Sequence, residues 1–211
     1  DLNMGIKDYL EYDGFSYKFV PIRNRQRTSE VGFADPDRLY DMMANVYKWD
    51  ALSYPDYYAD NQHLYTFCGV LSQRALFVNV AKEMVKAGHP ERAVEMLDKC
   101  QVCVPEKNYP LDISYLGYSN ELMVMDMINL YYVLGEKDKA SDLAKRFLDK
   151  MFQSVNFFFQ FYDYAKDDFD RARNMVLMVQ DIAKDSGDDS VVALVDAGFD
   201  RLRADYGVVD E

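Results

Sequence analysis

Gly88-His89-Pro90-Glu91-Arg92-Ala93 and Gly135-Glu136-Lys137-Asp138-Lys139-Ala140 carry the same punctuation. In each, a glycine ends one helix and an alanine five positions later sits where the next helix must approach closely. Glycine tolerates the positive φ of a helix C-terminus, and alanine leaves room for a neighbouring backbone. A third, weaker copy is Asp167-Asp168-Phe169-Asp170-Arg171-Ala172. Repetition of this kind marks stacked helix pairs, because one pair alone cannot bury its apolar face.

The intervals separating Ala93, Ala140 and Ala172 bracket the roughly 34-residue period of tetratricopeptide repeats, and the residues around them resemble that pattern. Around the first copy, Phe77, Val80, Ala81 and Met84 face inward from the first helix. Ala93, Leu97 and Cys100 face inward from the second, and Pro105 closes it. Around the second, Val124, Met127, Ile128 and Tyr131 precede Ala140, Ala144 and Phe147, but Phe152 stands where a closing proline is usual. The third has Phe159, Ala172, Val176 and Val179, with polar Gln160 and Asp163 at positions expected to be apolar. The extra length between the first two copies maps to Lys107 through Ser119, an insertion that lengthens a loop without breaking a stack. A last amphipathic helix, Ser190 to Tyr206, reads as the cap. The expected class is mainly α: an α-solenoid of tetratricopeptide-like helix pairs with a small N-terminal β-hairpin.

Upstream, Tyr12-Asp13-Gly14-Phe15 carries an Asp-Gly turn, and Phe15, Tyr17 and Phe19 alternate with Ser16, Lys18 and Val20, which predicts the hairpin. Pro21 ends the pattern, and Arg23, Arg25 and Arg27 follow as a solvated loop or an anionic contact surface. Asp35-Pro36 announces a helix with its cap and its first-turn proline. Leu39, Met42, Met43, Val46 and Tyr47 form one apolar stripe. Lys48 to Gln62, with Trp49, Tyr54, Tyr57 and Tyr58, reads as an aromatic loop tacked onto the helical body. The organisation is therefore 1–62, packed on the repeats, and 63–211, the repeats themselves.

Thirty-six acidic against 24 basic residues give the 211-residue chain a net charge of -12, which opposes binding to a polyanionic nucleic acid. Apolar residues make up 49% and charged residues 28%, as in an ordinary folded protein. No run approaches the roughly 20 apolar residues needed to span a bilayer. Starting at Asp1, directly in patterned sequence, the chain reads as a soluble fragment of something longer.

Of the three cysteines, Cys100 and Cys103 share an apolar helical segment and Cys68 has no obvious mate, so all three are expected to be reduced core residues. His63 and His89 are isolated, which leaves a zinc or nucleophilic site little to build from. No P-loop, GxGxxG, GxSxG or HExxH is present. The acidic clusters at Asp167-Asp168-Asp170 and Asp185 to Asp189 read as capping carboxylates, the first in an interhelical turn. No catalytic residue, metal site or cofactor is assigned.

Seventeen tyrosines and 13 phenylalanines could line a groove for a peptide or sugar. The densest run, Phe157-Phe158-Phe159-Gln160-Phe161-Tyr162, is expected to serve the core. The expected binding face is the inner side of the first helices, Val70 to Lys86, Glu121 to Leu134 and Ser154 to Ala165. Its polar positions are Arg74, Asn79, Lys82, Asn129, Tyr132, Gln160 and Asp163.

A more specific resemblance rests on Tyr9-Leu10-Glu11-Tyr12-Asp13-Gly14-Phe15-Ser16-Tyr17-Lys18-Phe19-Val20-Pro21-Ile22, on Arg38-Leu39-Tyr40-Asp41-Met42-Met43, and on Lys48-Trp49 with Tyr58-Ala59-Asp60-Asn61. These stretches resemble the soluble C-terminal region of a bacterial family of multi-spanning membrane proteins similar to protein O-mannosyltransferases. The resemblance implies a GT-C-type parent using a lipid-linked sugar, with its catalytic acids in a membrane half that lies outside this sequence. It also implies a periplasmic setting, and a role binding an acceptor polypeptide or partner, or docking on the parent's own membrane domain. A free-standing adaptor for a short peptide, and an all-helical glycan-active enzyme with paired carboxylates, are the alternatives.

Overall fold

The computed structural model describes residues 6–23, 33–57, 70–115 and 118–207. It is mainly helical and falls into two compact units, Asp1–Pro110 and Leu111–Glu211. The boundary expected at 62/63 lies outside the described residues, as do Arg25, Arg27, Tyr58, His63 and Cys68.

In the first unit, β1 (Leu10–Tyr12) and β2 (Tyr17–Phe19) pair antiparallel with Leu10 opposite Phe19 and Tyr12 opposite Tyr17. Gly14 takes φ 79° in the connecting turn, which Asp13 and Ser16 close with a 2.9 Å backbone hydrogen bond. A third strand that the sequence pattern did not suggest, β3 (Phe33–Ala34), adds parallel to β1. Two residues are too few for alternation to register.

The helix α1 (Pro36–Asp41) begins as expected, with the Asp35 carboxylate accepting from the Arg38 N–H at 3.2 Å. It then widens into a π turn over Met42–Val46. The wider turn shifts the register of the apolar stripe: Leu39 and Met43 are buried, whereas Val46 is exposed. Trp49 is buried, its indole N–H donating to the Met43 carbonyl at 2.9 Å and its ring lying 4.6 Å from that of Phe77. Phe77 belongs to α2 (Val70–Lys86), which packs against α1 and against α3 (Pro90–Cys103). The aromatic loop is thus held on the helices, with Asn108 donating to the Leu52 carbonyl at 3.2 Å.

The second unit opens with a short antiparallel ladder, β4 (Ser114–Tyr115) with β5 (Tyr118–Ser119), inside the insertion. Among the described residues four helices follow: α4 (Asn120–Val133), α5 (Lys137–Phe159), α6 (Tyr162–Asp185) and α7 (Asp189–Tyr206). α5 touches α4, α6 and α7, and so forms the centre of the unit. Its buried residues Leu143, Ala144, Phe147, Leu148, Met151 and Val155 meet Val176 and Val179 of α6 and Val191 and Val195 of α7 in the core.

Three helix hairpins share one turn. Gly88, Gly135 and Gly187 have φ of 80°, 81° and 66°. In each case the residue after the glycine donates its N–H back across the turn, His89 to Met84, Glu136 to Tyr131 and Asp188 to Ala183, at 2.9, 2.9 and 2.8 Å. This is the Schellman closure of a helix end, which satisfies carbonyls that would otherwise be orphaned. The same residue then starts the next helix, accepting from Ala93, Ala140 and Val192 respectively.

The third turn therefore falls at Ser186-Gly187-Asp188 and not at Asp167–Ala172, which lies within α6. The latter stretch has no glycine to take a positive φ, and its charges stabilise helix instead: Lys166 pairs with Asp170, and Arg171 with Asp168 at 3.4 Å. α7 is accordingly the second helix of the third hairpin. With no proline at position 152, α5 runs on to Phe159.

Candidate functional site

The seven expected groove residues are distributed over three places. On α2, Asn79 is exposed and Lys82 half-buried, but Arg74 is only 2% exposed and is not a groove residue. Its guanidinium donates to the Tyr109 carbonyl at 2.9 Å and approaches the Val104 carbonyl at 3.4 Å, tying down the chain where α3 ends. The helical spacing placed Arg74 on a polar face; the insertion, through buried Tyr109, folds over that face and covers it.

On α4, Asn129 is exposed and Tyr132 half-buried. The Tyr132 hydroxyl donates to the Asp188 carboxylate at 2.9 Å, linking the end of the first hairpin of this unit to the turn of the last. Asp188 is the N-cap of α7 and accepts from the N–H groups of Ser190 and Val191. Burial pushes its pKa upward, but the hydrogen bonds from Ser190, Tyr132, Ser141 and the Val191 backbone outweigh this and hold the carboxyl at about 2. The Tyr132 phenol moves the other way, raised by burial and then by donating to a carboxylate.

Gln160 and Asp163, the remaining two, are exposed at the link between α5 and α6. Helix α5 ends in tight turns, Gln160 N–H to the Phe157 carbonyl at 3.2 Å and Phe161 N–H to the Phe158 carbonyl at 3.1 Å. α6 starts at once, and Ala165 departs from helical geometry (φ -128°, ψ 30°) before the helix settles. The result is an elbow crowded with rings. Phe157 lies 5.4 Å from Phe158 and 5.3 Å from Phe161. Next to them, Phe159 contacts Tyr206 at 4.4 Å, Phe169 at 5.7 Å and Tyr162 at 6.2 Å.

The expectation that this run serves the core fails for most of it. Phe158 and Phe159 are only partly covered, whereas Phe157 is 56%, Phe161 49% and Tyr162 38% exposed, and the adjoining Tyr164 is 95% exposed. A helix apolar on most sides is ordinarily buried between neighbours. Here it ends before it can be, because the chain turns at Gln160 and the later helices cover its tip only in part, at Phe159.

Surface depressions among the described residues lie elsewhere. One, of about 230 Å³, runs between α5 and α7 with Lys145, Phe152, Asn156, Gly198 and Arg201 in its lining. Gly198 is required there, since a Cβ would stand 2.2 Å from the Phe152 ring. Another, of about 320 Å³, borders the N-terminal sheet at Tyr9, Val20 and Phe33. None of the seven expected residues lines either one.

Cys100 and Cys103 are free and buried; burial raises the Cys100 thiol to about 12 despite the neighbouring Arg74. Among the described residues, no group of three or more His, Cys, Asp or Glu side chains is placed to hold a metal ion. Nor is any helix among them long and apolar enough to cross a membrane. Comparison with known proteins finds no matching family model, no matching characterised protein and no matching solved structure.

Proposed function

We propose that this chain is a non-catalytic interaction domain built from tetratricopeptide-like helix hairpins. In this reading it is the soluble part of a membrane glycosyltransferase-like protein similar to protein O-mannosyltransferases. It binds an acceptor polypeptide or partner, or docks on the parent's own membrane domain, at the periplasmic face. The observation that carries the reading is the threefold recurrence of one glycine turn, at Gly88, Gly135 and Gly187, with the same closing hydrogen bond each time. Repeated hairpins present long helical faces, and such faces serve recognition in repeat proteins generally. The stretch Tyr9 to Ile22 supports the parentage through the family resemblance.

The exposed residues Asn79 and Asn129 remain the candidates on the first helices, while Tyr132 is committed to Asp188. The test is photo-crosslinking in the full-length protein in its native membrane, with a photoreactive residue at Asn79, Asn129 or Tyr164. Adducts with a separate polypeptide, or with the parent's own membrane domain, at one or more of these positions support the reading. Equal, low labelling at all three and at an exposed control on α5, Lys145, contradicts it.

A further inference from the structure

We propose that the α5–α6 elbow is a docking site for a basic, partly apolar polypeptide segment, whose arginine or lysine side chains lie on the exposed aromatic rings. This rests on the reading of the chain as an interaction domain and names the surface and the chemistry of its partner.

Three observations converge on a cationic occupant. First, the elbow leaves three aromatic rings largely exposed, Phe157, Phe161 and Tyr164, and the negative face of an aromatic ring attracts a cation. Second, two exposed carboxylates stand at the rim, Asp163 and Asp167, for which the described residues supply no ion pair within 4 Å, Asp167 acting only at longer range on Lys166. The neighbouring cations are already engaged, Lys166 with Asp170, and Arg171 with Asp168 at 3.4 Å and buried Glu121 at 3.7 Å. Third, the surface already holds one cation in this manner: the Lys166 ammonium lies 6.0 Å from the centroid of the Tyr162 ring. The chain's net charge of -12 steers a basic segment in the same direction and disfavours an anionic bilayer. Gln160 adds an amide able to hydrogen-bond an incoming backbone.

The test uses a synthetic amphipathic peptide of leucine and arginine, its leucine–glutamate counterpart, and phosphatidylcholine vesicles, titrated against the whole chain at low and moderate salt. The arginine peptide is expected to bind and the glutamate peptide to fail. Asp163→Asn with Asp167→Asn is expected to weaken binding by about tenfold, and Phe161→Ser with Tyr164→Ser by at least as much. The same charge change at Asp181 and Asp185, elsewhere on α6, should weaken it by less than about threefold, which separates a site from general attraction to an acidic protein. Melting temperatures of the elbow variants report that the fold is intact. Equal loss from both carboxylate pairs overturns the proposal. So does vesicle binding that depends on Tyr164, or self-association abolished by the ring variants, since either names a different occupant. Loss on substitution of Asn79 and Asn129 but not at the elbow overturns the elbow and leaves the interaction reading standing.

Discussion

The second unit joins its helices in two different ways. At Ser186-Gly187-Asp188 a positive-φ glycine reverses the chain, the turn closes on the Ala183 carbonyl, and Asp188 gathers hydrogen bonds from its own helix and from Tyr132. At Gln160-Phe161 there is no glycine and no side-chain cap, and of the five large rings crowded there Phe157, Phe161 and Tyr162 are left exposed. One junction closes on itself through backbone and capping hydrogen bonds and is tied to α4 through Tyr132. The other leaves apolar surface in water, at a cost that folding alone does not repay. The difference separates a junction that serves stability from one free to serve recognition.

The largest expected effect lies at the capped turn. Asp188→Ala removes an N-cap and leaves the Tyr132 hydroxyl without its acceptor, and should destabilise the second unit by about 2–3 kcal/mol in chemical denaturation. The corresponding residues of the other turns, His89 and Glu136, make no capping side-chain hydrogen bond, so their alanine variants should lie within about 0.5 kcal/mol of the parent.

Acid should act through the same carboxylate. Its folded pKa, about 2, lies below the ordinary value of 3.8, so its stabilisation is fully present above pH 4 and is lost as the pH falls toward 2. The expected loss is roughly 2 kcal/mol. Asp188→Asn should flatten the fall in stability between pH 4 and pH 2; an unchanged slope would place the acid sensitivity elsewhere.

Alanine at Gly88, Gly135 or Gly187 forces a Cβ into left-handed backbone and should cost about 1–2 kcal/mol at each, with little spread, because all three sites are otherwise open. At the elbow, Gln160→Ala and Tyr164→Ser should change stability by less than about 0.5 kcal/mol in the same assay. A large loss there would show the elbow to be structural after all.

The helical class, the first two glycine turns, the Asp13-Gly14 hairpin and the Asp35 cap were legible because each depends on residues adjacent in sequence. The third turn was misplaced for a related reason. Asp167–Ala172 matches the punctuation in its acidic residues and its final alanine, but it lacks the one feature that forces a turn, a residue able to take positive φ. Gly187 has that feature, yet Val192 stands five positions on where alanine was sought. The apolar stripe Ala172, Val176 and Val179 was nevertheless assigned correctly to the core, since helical periodicity does not depend on where the helix began. Among the candidate site residues, Asn79, Asn129, Gln160 and Asp163 are exposed as expected. Arg74 was misjudged because the insertion that covers it comes some thirty residues later in the chain. Exposure of the Phe157–Tyr162 run was likewise invisible locally: composition says that rings prefer burial, and only the packing of α6 and α7 decides which of them obtain it.

The position of the third turn makes α6 one long helix and leaves the elbow at its start. Backbone chemical shifts measured by NMR test it directly. Helical Cα shifts are expected without interruption across Asp167–Ala172 and on to Asp185, followed by a left-handed signature at Gly187. A break between Asp167 and Ala172, with helical shifts continuing through Gly187, would contradict that position of the turn.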